Sequence, residues 1–195
     1  MRVLKISVLV LMVLFLAVGI SYAQTAKEYH NKGIEYAVQG KFEEAEEEFK
    51  KALKTDQFYN PAKECSKLLE DASKKGIENE AVIHFFKGMA YDDKGMFDKA
   101  ILEYKRAIAI NPNDAKAHNN LGAIYGNNGM YDTAILESKK AIAINSNYAD
   151  AHNNLAVSYY YKKQYKLAIE HCDKARELGY SVHPALLEYL KPYRK

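Results

Sequence analysis

Three histidines, His84, His118 and His152, recur at a spacing of 34 residues, and a histidine series is the first place to look for a metal site. A zinc ion needs each ligand about 2 Å away. Residues at one point of successive packed helices are instead separated by the ~8–10 Å between helix axes. Packing is the expected role of the series, and no metal site is expected. Cys65 and Cys172 stand far apart in the repeat array. Array units touch only their neighbours, whereas bridged Cα atoms lie within about 7 Å, so two packed thiols are expected. No Gly-rich phosphate loop, paired-cysteine set or serine elbow occurs. Ser138 and Cys172 fall on apolar stripes, where a nucleophile would be buried. No catalytic residue and no cofactor follow from these positions. What remains is amide chemistry: Asn31, Asn120 and Asn154 share one repeat position, and Phe86 holds it in the other copy. A side-chain amide both donates and accepts, which matches the groups of a peptide unit.

The elements that position these residues follow from self-comparison. Residues 81–114, 115–148 and 149–182 align with one another, and an earlier copy runs over 26–59. Tyr91, Tyr125 and Tyr159 coincide, as do Ala100, Ala134 and Ala168. Within a copy, His118, Leu121, Gly122 and Tyr125 form one helical stripe, and Tyr131, Ala134, Ser138 and Ala141 form a second. Asn127-Asn128-Gly129 supplies turn residues between them. Pro112 ends the preceding helix, and Asn113 or Asp114 can cap the next. Each copy is a helix–turn–helix hairpin whose Gly122 and Ala134 leave room for close helix approach.

Ala117-His118-Asn119-Asn120-Leu121-Gly122, then Tyr125, Gly129, Tyr131, Ala134 and Ala141, resembles the tetratricopeptide repeat. Departures are Lys32 and Lys87 for Leu, Lys163 for the turn Gly, and Gln57, Ser146 and Tyr180 for the closing Pro. The resemblance implies an all-α solenoid of helix-turn-helix repeats, a right-handed superhelix. It also implies that first helices line a concave groove, where in some members an asparagine ladder contacts an extended peptide. On that footing Asn31, Asn120 and Asn154 would line the groove with Phe86 as an apolar contact. Asn119, Asn153, Asn127, Tyr160, Tyr161 and Asp92 would border it, tyrosine offering apolar area with a polar tip. The competing reading is that these amides only satisfy local helix geometry. The carboxylate clamp of chaperone-binding members is incomplete here, with Lys27 and Lys116 but no matching Arg.

Outside the copies, Asn60-Pro61 opens an inserted helix and linker over 60–80, carrying Ala62, Cys65, Leu68, Leu69 and Ala72. Residues 183–195 read as a capping helix with Pro184 at its start. The domain plan is therefore repeat 1 over 24–59, the insert, repeats 2 to 4 over 81–114, 115–148 and 149–182, and the cap. Residues 1–23 read as a Sec-type signal: Arg2 and Lys5, an apolar run from Ile6 to Ile20, then Ser21-Tyr22-Ala23 before Gln24. The run is shorter than the ~20 residues of a spanning helix, the alternative being a retained anchor and the only membrane contact expected. A bacterial periplasm or cell envelope is the expected location.

The formal charge of +3 includes Arg2 and Lys5 of that segment, so the body gives no electrostatic reason to bind nucleic acid. Glu43, Glu44, Glu46, Glu47 and Glu48 crowd one helix and read as a solvated outer face, an acidic docking surface being the alternative. The expected function is a non-catalytic scaffold or adaptor for protein or peptide segments, with no small-molecule substrate. The alternative is a self-associating structural subunit of an envelope assembly.

Overall fold

The computed structural model describes residues 24–75 and 77–194, so the segment read as a targeting signal lies outside the described residues. Ten α-helices are present among the described residues: α1 (24–38), α2 (Phe42–Thr55), α3 (Asn60–Lys75), α4 (Asn79–Asp92), α5 (Phe97–Ile110), α6 (Ala115–Asn127), α7 (Tyr131–Ile144), α8 (Ala149–Tyr161), α9 (Tyr165–Glu177) and α10 (Pro184–Leu190). A 3₁₀ turn, Lys191–Tyr193, follows α10. The described residues divide into two compact units, with the division between Phe86 and Lys87, inside α4.

Local chemistry sets the helix ends. Asp114 caps α6, its carboxylate accepting from the backbone N–H of Lys116 and Ala117, both at 3.0 Å. Pro184 starts α10, where the His183 ring accepts from the Ala185 N–H. Gly40, Gly95 and Gly129 close the turns inside the first three hairpins with φ of 76°, 69° and 75°. Lys163 occupies the same turn of the fourth hairpin at φ 60°, a left-handed conformation that strains a residue with a Cβ.

In the first unit, α3 packs on α2 and buries Ala62, Cys65, Leu69 and Ala72, with Leu68 only half-buried. Phe49, Phe85 and Phe86 complete its core. In the second unit, α6 packs on α7 and α8 on α9, while α7 meets α8 across successive pairs and α6 lies beside α8.

Side-chain size is matched across each hairpin. A Cβ on Gly33 would collide with the Phe49 ring, and one on Gly88 would come within 2.6 Å of Tyr104. One on Gly122 would come within 2.6 Å of Ser138 Oγ. In the fourth hairpin a Cys, Cys172, stands at the corresponding place, and Ala156 stands opposite it in one buried cluster. Leu186 and Leu190 of α10 close that cluster. Arg194 anchors the end of the chain with two hydrogen bonds to the Asp173 carboxylate, at 2.8 and 2.7 Å.

Candidate protein-binding site

The asparagines of α6 and α8 form a hydrogen-bonded relay. Asn154 Nδ2 donates to Asn119 Oδ1 at 2.9 Å, and Asn119 Nδ2 reaches Asn120 Oδ1 at 3.5 Å. Asn120 Nδ2 in turn donates to the Tyr104 hydroxyl at 3.0 Å. Tyr104 has no exposed surface. Burial, with a smaller contribution from the Asp92 charge, drives its pKa far above the usual phenol range. Asp92 is itself pushed above the usual carboxylate range by burial and then by Asp93.

The relay fixes the amides without exhausting them. Each amide has two donor hydrogens and an acceptor oxygen with two lone pairs. Asn120 commits one hydrogen to Tyr104, and Asn154 keeps its Oδ1 uncommitted at a half-buried position. Two neighbouring first helices therefore hold their amides in fixed orientation, with Asn119 buried and Asn120 and Asn154 half-buried. Asn153 is half-buried on α8, and Asn127 is exposed at the end of α6.

Tyr160 and Tyr161 close α8 in a set of stacked tyrosines. Tyr161 lies on Tyr131 at 4.8 Å with the rings 4° from parallel, and Tyr160 lies on Tyr189 at 5.7 Å and 16°. Asn31 and Phe86 belong to the first unit. Asn31 is exposed on α1. Phe86 departs from the expectation of an apolar ligand contact: it is fully buried, stacked on Phe49 at 6.2 Å and edge-on to Phe85. Its ring fills the core because Phe49 needs an apolar neighbour there.

The histidine series joins the two helices of a hairpin. His118 Nδ1 lies 2.6 Å from Glu137 Oε2, with Nε2 3.3 Å from the Pro112 carbonyl. His152 repeats the arrangement, its Nε2 lying 3.2 Å from the Ser146 carbonyl, but its Nδ1 faces His171 Nδ1 at 3.0 Å. A carbonyl only accepts, so His152 carries its hydrogen on Nε2 and the His171 Nδ1–H donates to it. The His171 pKa is lowered by burial first and by His152 second. The partner position, 19 residues after each histidine, escaped sequence reading, although Glu103 and Glu137 repeat there. No group of three or more His, Cys, Asp and Glu is placed to hold a metal ion among the described residues. Cys65 and Cys172 are both buried.

The acidic run departs from a uniformly solvated face. Glu43, Glu44 and Glu47 are exposed, but Glu48 is buried and bonded by Lys32 at 3.1 Å and Lys51 at 2.9 Å. Burial opposes its ionisation, yet the hydrogen bonds from Lys51 and Lys32 outweigh burial and hold its pKa below the usual value. The first unit also holds a cleft of about 510 Å³ between α2, α3 and α4, lined by Phe42, Glu46, Leu69, Lys74 and Val82 among others.

Family models described as tetratricopeptide repeats match residues 26–58, 115–148 and 149–178, and a TPR repeat model matches 88–129. Together they span more than half of the chain. Among solved structures, YrrB, "a TPR protein with an unusual peptide-binding site", is 24% identical. The match covers 84% of this chain and 90% of that one, with a TM-score of 0.52. The first TPR of Spaghetti (RPAP3), bound to an HSP90 peptide, is 19% identical over 58% of this chain and 89% of that one, with a TM-score of 0.54. The TPR2AB domain of yeast Sti1, in complex with pHSP90, is 22% identical over 88% of this chain and 69% of that one, with a TM-score of 0.51. At these identities the likeness shows the fold. The search of curated proteins gives no match.

Proposed function

This chain is a tetratricopeptide-repeat protein, and on that premise we propose a non-catalytic scaffold that holds a segment of another protein against α6 and α8. The observation that carries the reading is the amide relay, Asn154 to Asn119 to Asn120 to Tyr104. It holds two neighbouring first helices' amides in fixed orientation with hydrogen-bonding capacity to spare. A pre-oriented amide loses little freedom when a ligand arrives, which lowers the cost of binding. The peptides held by RPAP3 and the peptide-binding site of YrrB support this use of the fold. Arg2, Lys5, the apolar run and Ser21-Tyr22-Ala23 support export, with the cell envelope as the place of work.

Affinity capture from an envelope extract, with the full chain as bait, tests the reading. An Asn153→Ala/Asn154→Ala variant that keeps its helical circular dichroism should lose the partner that the parent enriches. Equal capture by both places binding elsewhere and refutes it.

A self-associating subunit of an envelope assembly is the second reading. Leu102 and Leu136 favour it, standing 34 residues apart on α5 and α7 with 49% and 52% of their surface exposed. Light scattering decides: a strict monomer at working concentration removes this reading.

A further inference from the structure

Six tyrosines of the second unit stack into three pairs, each pairing a half-buried ring with an exposed one. Tyr131 backs Tyr161 at 4.8 Å and 4°, Tyr160 backs Tyr189 at 5.7 Å and 16°, and Tyr165 backs Tyr193 at 3.5 Å and 13°. The outer rings, Tyr161, Tyr189 and Tyr193, are 58%, 56% and 44% exposed. Tyr160 joins the pairs, edge-on to Tyr161 at 5.6 Å and tilted against Tyr165 at 6.0 Å. Four helices and the 3₁₀ turn contribute to the set, so packing on both sides of α8 holds the rings in place before any ligand arrives.

Most of the carboxylates around the rings are paired. Asp132 is paired with Lys162, Asp173 with Arg194 and Glu188 with Lys191. Lys163 and Lys166 are exposed and make no ion pair among the described residues, and Glu170, one turn further along α9, is the exposed carboxylate nearest to them without one. Rings with apolar area and a polar tip suit a contact surface, and the unpaired charge of Lys163, Lys166 and Glu170 beside them is net positive.

We infer that this edge of the second unit docks an acidic, proline-rich protein segment in the polyproline II conformation. Such a segment has no internal hydrogen bonds and is extended before it binds, with three residues per turn. Its ring faces lie on aromatic side chains at small entropic cost, the recognition mode of aromatic-lined grooves. Carboxylates between the prolines meet Lys163 and Lys166. The inference rests on the peptide-binding reading, since Tyr160 and Tyr161 sit on α8 with Asn153 and Asn154, and it names the chemistry of the segment.

The test is fluorescence anisotropy of a labelled (Glu-Pro-Pro)₄ peptide with the full chain, beside (Glu-Gly-Ser)₄ and (Lys-Pro-Pro)₄. Binding of the first at least tenfold tighter than either control is expected. Tyr161→Ser/Tyr189→Ser should weaken it at least tenfold with the helical circular dichroism unchanged, since both rings are on the surface. Equal binding of (Glu-Gly-Ser)₄ would show that charge alone is read and would overturn the proposal. So would absence of binding, or a tyrosine surface whose only measurable partner is a second copy in sedimentation. Absence of (Glu-Pro-Pro)₄ binding alongside an Asn153- and Asn154-dependent partner removes this inference and leaves the peptide-binding reading standing.

Discussion

Asn120 spends one amide hydrogen on the hydroxyl of Tyr104, a side chain with no exposed surface. Removing a partner from a buried polar group costs about 1–3 kcal/mol. Asn120→Ala should therefore lower stability by roughly that amount, and much less in a Tyr104→Phe background; chemical denaturation of the four proteins of the cycle measures the coupling. His171, packed against His152, carries a pH dependence of definite sign. Lys139 and Glu170 also face His171, but burial and His152 prevail and its folded-state pKa lies below the usual histidine value. The unfolded chain then binds more protons as the pH falls below about 6.5, the ordinary histidine pKa. Stability contributed by the neutral His171 ring is whole above that pH and is lost as the pH falls toward the folded-state value. Melting of the second unit should move to lower temperature between pH 7.5 and 5. His171→Glu, which rebuilds the pairing of His118 with Glu137, should flatten or reverse that slope. The amide position was legible in the sequence because repetition put Asn120 and Asn154 in register. Tyr104 was not, since it comes from the preceding hairpin and meets Asn120 only once α5 packs on α6.

Between helices, the hairpin spacing is set by matched volumes. Gly33 faces Phe49, Gly88 faces Tyr104 and Gly122 faces Ser138, so a large ring sits only where the opposite helix lacks a Cβ. The sequence showed the small residues but not the rule, because the compensating side chain is in the other helix of the pair. The inserted α3 and the terminal α10 were legible from apolar spacing and from Pro61 and Pro184. Phe86 was misread because register alone cannot tell an outward position from one turned onto a neighbouring ring. The terminal helix also yields a direct test of its role. Leu190 is fully buried against Cys172 and Ala175 in the last cluster, and truncating such a leucine costs about 2–5 kcal/mol. Leu190→Ala should destabilise the second unit by that order, read as an earlier denaturation midpoint. No change in midpoint would show that α10 caps nothing.

At the scale of the chain, the repeats stop short of uniformity. The division into two compact units falls within α4, and the first unit follows its α1–α2 hairpin with the single helix α3 where the second runs from hairpin to hairpin. Nearest-neighbour packing makes each repeat depend on the one beside it, so ligand binding on α6 and α8 should be felt first in their own backbone. The proposal of export rests on the sequence chemistry of residues 1–23 alone, which lie outside the described residues. The repeat fold was legible because four copies repeat one packing solution. The partner was not, because a solenoid presents a surface, and surface identity lies in a few side chains rather than in a reaction. The most direct test of the central claim is hydrogen–deuterium exchange of the full chain with and without its captured partner. Slower exchange concentrated in α6 and α8 is the result predicted. Protection confined to α7 and α9, or exchange unchanged throughout the second unit, would contradict it.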